Sequence, residues 1–299
     1  MIKYLNLFRV KHYIKNSLVF LPLIFSLRLT DLRCAVIVTI GFIAFCLITS
    51  AVYIINDIRD VEKDRIHTKK KNRSLANGSI EIPAAMFFAV FFFLLSGGLI
   101  ATLTIWRNVS CWAAVFAGLY FIINCAYSMG LKNIPLVEIF FIAAGFILRV
   151  LFGGALVGVE ISPWLLLTVI SAALSMSSGK RRNEIMIERK ETRGVNKSYS
   201  EIFLDKIMYM FFTLIIVFYS LWCIEYHEVY RGIIWSVPIV MIAILKYCML
   251  IEPNKNHEES DGDPTDVLLS DKFLLFIVFF FIAYVLAVIY VPWENLLFL

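Results

Sequence analysis

Charge is scarce in this sequence. Only 17% of its 299 residues are Asp, Glu, Lys or Arg, and 60% are hydrophobic, whereas soluble domains carry about 25% charged and about 45–50% apolar residues. A soluble core cannot absorb that excess, so a water-soluble globule is excluded. The six cysteines, Cys34, Cys46, Cys111, Cys125, Cys223 and Cys248, lack paired spacing, which argues against a disulfide framework or a zinc site and leaves them as small packed hydrophobes. No small-residue cleavage site follows the basic N-terminal stretch, so a retained N-terminus is expected. No metal-ligand or triad spacing surrounds His12, His227 or His257, so none receives a catalytic role. No nucleic-acid partner is expected.

Long apolar runs fill the space that charge leaves. Spans are expected near 15–29, 34–55, 84–106, 109–128, 134–157, 163–178, 207–226, 232–251 and 272–291. A helix crosses the hydrocarbon layer in roughly 20 residues, and these runs are too long for barrel strands. The fold class expected is therefore an all-α integral membrane bundle of about nine transmembrane helices, built as a single catalytic domain over 1–299. Its cytoplasmic loops should fall near 56–83, 129–133, 179–206 and 252–271. The first span is short in its apolar part, Leu18 to Leu29, and is preceded by Lys11, His12 and Lys15, the pattern of an amphipathic lead-in. Lys and Arg concentrate before the first span and after the even-numbered ones. Only Arg28, Arg33, Arg107 and Arg231 fall on the other side, and Arg149 lies within a span. Cytoplasmic loops hold the positive excess, which places the N-terminus inside.

The loop after the second span also carries acids, which a topology signal does not need. It reads YIINDIRDVEKDRIHTKKKNRSLANG from Tyr53 to Gly78. If the helix continues past the bilayer surface, Asp57, Asp60 and Asp64 recur at three and four residues and share one face, with Asn56 beside them. Clustered carboxylates repel unless a cation lies among them, and oxygen-only ligands suit Mg²⁺, commonly held by one or two carboxylates plus substrate phosphates. His67, Lys69, Lys70, Lys71 and Arg73 follow, suited to phosphate oxygens. Together these describe a diphosphate clamp.

Asn56, Asp57, Asp60 and Asp64 match the N-D-x-x-D-x-x-x-D motif of the UbiA prenyltransferase superfamily, which the chain also resembles in its nine expected spans and cytoplasmic polar site. That resemblance implies Mg²⁺-assisted group transfer from a diphosphate donor, with Asp57, Asp60 and Asp64 catalytic and Asn56 joining them at the metal. Aromatic prenyltransferases of the superfamily carry a second Asp-rich motif after span six. Here the stretch is SGKRRNEIMIERKETRG, with Lys180, Arg181 and Arg182 and no aspartate from Ser177 to Ser200. Cations cannot ligate Mg²⁺ but bind phosphate directly.

That departure resembles the polyprenyl-phosphate phosphoribosyltransferase branch, exemplified by the decaprenyl-phosphate enzymes. The likeness extends through Lys15-Asn16, then His67, Lys70, Arg73, Ala76 and Gly78, then Tyr127-Ser128 with Leu131-Lys132. It continues with Gly145-Phe146 and Arg149, Gly179-Lys180-Arg181 through Glu184, and DPTDVLLSDK at 263–272. Thr68 and Ser74 replace prolines of the pattern, and Tyr13 replaces a tryptophan. The branch implies phosphoribosyl diphosphate as donor, held by Lys15, Tyr53, His67, Lys70, Arg73, Lys180 and Arg181. It implies a polyprenyl phosphate lipid as acceptor, held by Lys132, Arg149 and Arg182. Localisation in a bacterial inner membrane with a cytoplasmic site follows, and self-association into a homo-oligomer stays open. An aromatic or quinone-precursor prenyltransferase, and a lipid or ion transporter, are the competing readings.

Arg149 sits in the apolar run IFFIAAGFILRVLFGGALVG, where a charge costs about 2.5–3.5 kcal/mol on insertion scales. A lipid or donor phosphate would offset that cost, and snorkelling to the interface is the alternative. Gly145, Gly153, Gly154 and Gly158 in the same stretch allow close helix packing or room for a polyprenyl chain. The acidic segment after span eight, EPNKNHEESDGDPTD, reads as a solvated loop or a lid.

Overall fold

The computed structural model describes residues 2–66, 70–187, 198–252 and 264–291. His67, the centre of the 179–206 loop and most of the acidic segment at 252–271 lie outside the described residues. Contacts divide the chain into two units, Met1–Glu160 and Ile161–Leu299.

The first unit begins with helix α1 (Ile2–Leu7), a 3-10 segment over Val10–Phe20 and a short α2 (Leu21–Phe25). Four long helices follow: α3 (Leu32–Ile66), α4 (Ile82–Arg107), α5 (Trp112–Met129) and α6 (Val137–Val157). The expected first span at 15–29 is thus no continuous α-helix; apolarity alone does not tell a 3-10 winding from an α winding. Pro22 stands in the first turn of α2, where its missing N–H costs nothing.

The 35 residues of α3 rise roughly 52 Å at 1.5 Å per residue, well beyond the ~30 Å hydrocarbon layer. Its last turns must therefore project from the membrane, and they carry the acidic motif. Part of the expected loop at 56–83 is accordingly helical.

Packing in this unit turns small residues inward. Helix α4 buries Ala85, Ala89, Ser96, Ile100 and Leu103 and exposes Phe87, Phe91 and Leu94. Lipid solvates Phe as well as a protein interior does, so close approach of backbones decides the interface. Ser96 donates to the Ala44 carbonyl of α3 at 2.7 Å. Gly153 of α6 is required by the 3-10 segment, since a Cβ there would lie 2.2 Å from the Val19 carbonyl oxygen. Close packing, not an open lipid channel, explains this glycine. Gly158 ends α6 at φ +70°, a conformation favouring glycine.

The second unit comprises α7 (Pro163–Ile187), α8 (Glu201–Glu225), α9 (Ser236–Ile251), α10 (Pro264–Ser270) and α11 (Lys272–Tyr290). Helices α7 and α8 pack as a pair, and α9 packs on α8 and α11. Ser200 caps α8 by accepting from Phe203 N, and Asp271 caps α11 by accepting from Leu274 N while pairing with Lys246 at 3.0 Å.

Among the described residues, seven helical stretches are long and apolar enough to cross a membrane: α3, α4, α5, α6, α8, Ile233–Ile251 and α11. The chain is an all-helical, multi-pass membrane protein. The span expected at 163–178 opens α7, whose 25 residues run on through the charged turn at Lys180–Glu184.

Candidate active site

The acidic face of α3 is built as the spacing requires, and each carboxylate is met by a cation from another element. Asp57 and Asp64 are each 5% exposed. Arg9, at the entry to the 3-10 segment, reaches Asp57 at 2.5 Å. Arg73, in the turn after α3, bridges Asp57 at 3.2 Å and Asp64 at 2.6 Å. Lys132, between α5 and α6, meets both oxygens of Asp60 at 2.7 and 2.6 Å. Ser128 donates to the Asn56 side-chain oxygen at 3.0 Å. Acids on one helix face are thus neutralised from three directions.

Local chemistry aims each cation. The chain after α3 forms a 3-10 turn at Lys70–Asn72, and Gly78, at φ +74°, turns it toward α4. Ser74, where the resembled pattern has proline, donates to the Lys3 carbonyl at 2.9 Å and so ties this turn to α1. Arg9 adopts a left-handed backbone at φ 52°, uncommon for a residue with a Cβ. Its guanidinium lies 4.8 Å from the Tyr53 ring centroid. Burial alone would lower the Arg9 pKa, but Asp57, with Tyr53 and Asp64, lifts it above its ordinary value.

The 3-10 segment runs antiparallel along α3 as a ladder of polar rungs. Arg9 meets Asp57, Tyr13 meets Ser50 at 2.7 Å, and the Asn16 amide meets the Cys46 sulfur at 3.3 Å. Seven residues of the segment cover eleven of α3. A 3-10 rise of ~2.0 Å against an α rise of ~1.5 Å makes those lengths agree, at roughly 14 and 16 Å.

Arg149 lies at the far end of this ladder, 4% exposed. Its Nε donates to the Asn16 oxygen at 2.7 Å, Nη1 to the Gly145 carbonyl at 2.7 Å, and Nη2 to the Tyr120 hydroxyl at 3.1 Å. Its guanidinium also faces the rings of Tyr120, Phe45 and Phe146 at 4.9–5.5 Å.

The structure thus brings Asn56, Asp57, Asp60, Asp64, Arg73 and Lys132 together, with Tyr53 alongside. Lys15 is half-buried on the 3-10 segment and Lys70 half-buried in the turn after α3. Lys180, Arg181 and Arg182 belong to the second unit. There Arg181 pairs with Glu184, and Arg182 pairs with Asp205 and donates to the Ile251 carbonyl at 3.4 Å. Arg9 was legible only as a topology charge. One signal pointed further: no Asp or Glu precedes Asp31, so the N-terminal bases must find anions beyond their own segment.

The acids fit a hard divalent cation. Their donors are all oxygen, and Mg²⁺ usually takes one or two carboxylates and fills its shell with phosphate oxygens and water. Among the described residues no three His, Cys, Asp or Glu side chains converge into a closed cage. This donor set suits a metal that arrives with a diphosphate.

The sequence profile of the UbiA prenyltransferase family matches residues 21–262. The chain belongs to the UbiA prenyltransferase family. It is 32% identical to the decaprenyl-phosphate phosphoribosyltransferase of Corynebacterium glutamicum over 292 residues, covering 95% of this chain and 85% of that one. It is 30% identical to the protein of the same name from Mycobacterium tuberculosis over 251 residues, covering 82% of this chain and 79% of that one. Among solved structures, a UbiA homologue from Archaeoglobus fulgidus bound to GPP and Mg²⁺ superposes with a TM-score of 0.70 at 21% identity, covering 97% of this chain and all of that one. That likeness establishes the UbiA fold. Family membership makes the protein a transferase.

Proposed function

We propose that this UbiA-family enzyme transfers the 5-phosphoribosyl group of phosphoribosyl diphosphate to a polyprenyl phosphate and releases diphosphate. The observation that carries the reading is the site's composition: a buried acidic helix face enclosed by Arg9, Arg73 and Lys132, in a chain similar over more than four-fifths of its length to decaprenyl-phosphate phosphoribosyltransferases. Such a site has carboxylates for a metal and cations for several phosphates. The Lys180–Arg182 cluster, standing where aromatic prenyltransferases place acids, supports a substrate set richer in phosphate.

In this reading an oxygen of the acceptor phosphate attacks ribose C1 while the bond from C1 to the diphosphate breaks. The acceptor is already anionic at neutral pH, so no general base is needed. Mg²⁺ bound through Asn56, Asp57, Asp60 and Asp64 would neutralise charge on the departing diphosphate. Lys15, Tyr53, His67, Lys70 and Arg73, with Lys180 and Arg181, hold the donor, and Arg9 joins them. Lys132 and Arg182 serve the lipid phosphate. Positioning and fixed charge stabilise the oxocarbenium-like centre. The site faces the cytoplasm of a bacterial inner membrane, where the donor is soluble.

The test incubates purified protein with radiolabelled phosphoribosyl diphosphate and polyprenyl phosphate, with Mg²⁺ or with chelator. Label should enter the lipid phase only with Mg²⁺, and phosphoribosyl diphosphate should raise the melting temperature more than geranyl diphosphate does. Prenyl transfer from geranyl diphosphate with no transfer of ribose would overturn the reading in favour of an aromatic prenyltransferase.

A further inference from the structure

We propose that Arg149 is a positioning residue, which acts through Asn16 to hold the N-terminal 3-10 segment in register along α3 and so sets Arg9 against the acidic face. The proposal rests on the donor site described above.

Its geometry is that of a junction. Arg149 extends from α6, and its three hydrogen bonds go to Asn16 of the 3-10 segment, Tyr120 of α5 and Gly145 of its own helix. Asn16 is fully buried and its amide group continues to Cys46 of α3. One guanidinium therefore joins four elements. The planar fork supplies these bonds from fixed directions, which a lysine ammonium cannot reproduce.

Distance separates Arg149 from the acidic face. Asn16 and Arg9 are seven residues apart on the segment, roughly 14 Å at the 3-10 rise, and Arg9 is the residue that meets Asp57. A guanidinium bound at Asn16 reaches Arg9 along the backbone between them. The ladder carries the effect. A segment released at Asn16 can slide or rewind, and a change of one residue displaces Tyr13 from Ser50 and Arg9 from Asp57. The left-handed backbone of Arg9 needs surrounding contacts to hold it there.

The experiment compares Arg149→Gln, Arg149→Lys, Asn16→Ala and the double variant Arg149→Gln/Asn16→Ala in the full detergent-solubilised chain. Hydrogen–deuterium exchange should rise across residues 9–20 in both single glutamine and alanine variants, with no further rise in the double variant, since both remove one coupled interaction. KM for phosphoribosyl diphosphate should rise about tenfold in each, equal to about 1.4 kcal/mol, while KM for polyprenyl phosphate stays unchanged. Arg149→Lys should fall between. Unchanged exchange in Arg149→Gln, or a rise confined to the KM of the lipid, would overturn the proposal and make Arg149 a ligand of the acceptor phosphate. The exchange measurement needs no substrate. If the wild type failed to bind phosphoribosyl diphosphate while exchange behaved as expected, the donor assignment would fall and the register role would stand.

Discussion

Asp60 and Lys132 meet through both carboxylate oxygens, and the lysine is 8% exposed. Removing one partner of such a pair leaves the other charge stranded, a loss of about 3–5 kcal/mol when the pair is buried. The partial exposure of Asp60 puts this case at or below the lower end. Asp60→Ala should therefore lower the melting temperature as well as abolish turnover. Adding Lys132→Met removes the stranded charge, so the double variant should regain most of the lost stability and none of the activity. A double variant as unstable as the single one would show that Lys132 does not depend on Asp60 for its place. The acids themselves were legible in the sequence, because a spacing of three and four needs only a helix to bring them onto one face. Their cations were less so. Arg9 pairs with Asp57 across 48 positions and Lys132 with Asp60 across 72, and no local periodicity encodes contacts that the packed bundle creates.

The 3-10 segment over Val10–Phe20 overlaps the start of the span expected at 15–29, whose winding hydropathy could not give. Hydropathy registers that residues are apolar, not how tightly the backbone winds. What fixes the winding is contact: polar rungs to α3 on one side and the close approach to α6 at Gly153 on the other. Gly153→Ala would place a methyl 2.2 Å from a backbone oxygen, which no side-chain rotation relieves. Overpacking of this kind costs about 1–3 kcal/mol. The variant should melt several degrees lower and lose donor affinity, because the segment carrying Arg9 must move outward. Gly97→Ala or Gly98→Ala in α4, with nothing within 4 Å of the added carbon, is the control and should leave the melting temperature unchanged or slightly raised. Equal effects at Gly153 and Gly97 would remove the packing argument.

At the scale of the whole molecule, the lysine and arginine bias makes a claim about sides that a bundle alone does not express. The acidic end of α3 is followed by α4, which rises roughly 39 Å at 1.5 Å per residue, enough to cross a ~30 Å hydrocarbon layer. Arg107, Trp106 and Cys111 therefore lie on the opposite side from Asp57. Trp106 and Trp112 are well exposed, as expected for aromatic rings seated at a membrane–water boundary. Few cations mark that side, and the positive excess accompanies the acidic site, so the site should face the cytoplasm and Cys111 the exterior. Cys111 is free and exposed, which makes it a natural reporter. In a chain whose other cysteines are serine, a membrane-impermeant maleimide added to intact spheroplasts should label Cys111. A cysteine introduced at Lys63, an exposed position of α3 between Asp60 and Asp64, in a Cys111→Ser background should stay unlabelled until the membrane is permeabilised. The reverse pattern would put the acidic site outside the cell, away from a soluble cytoplasmic donor. The charge bias would then have to be explained as phosphate binding alone.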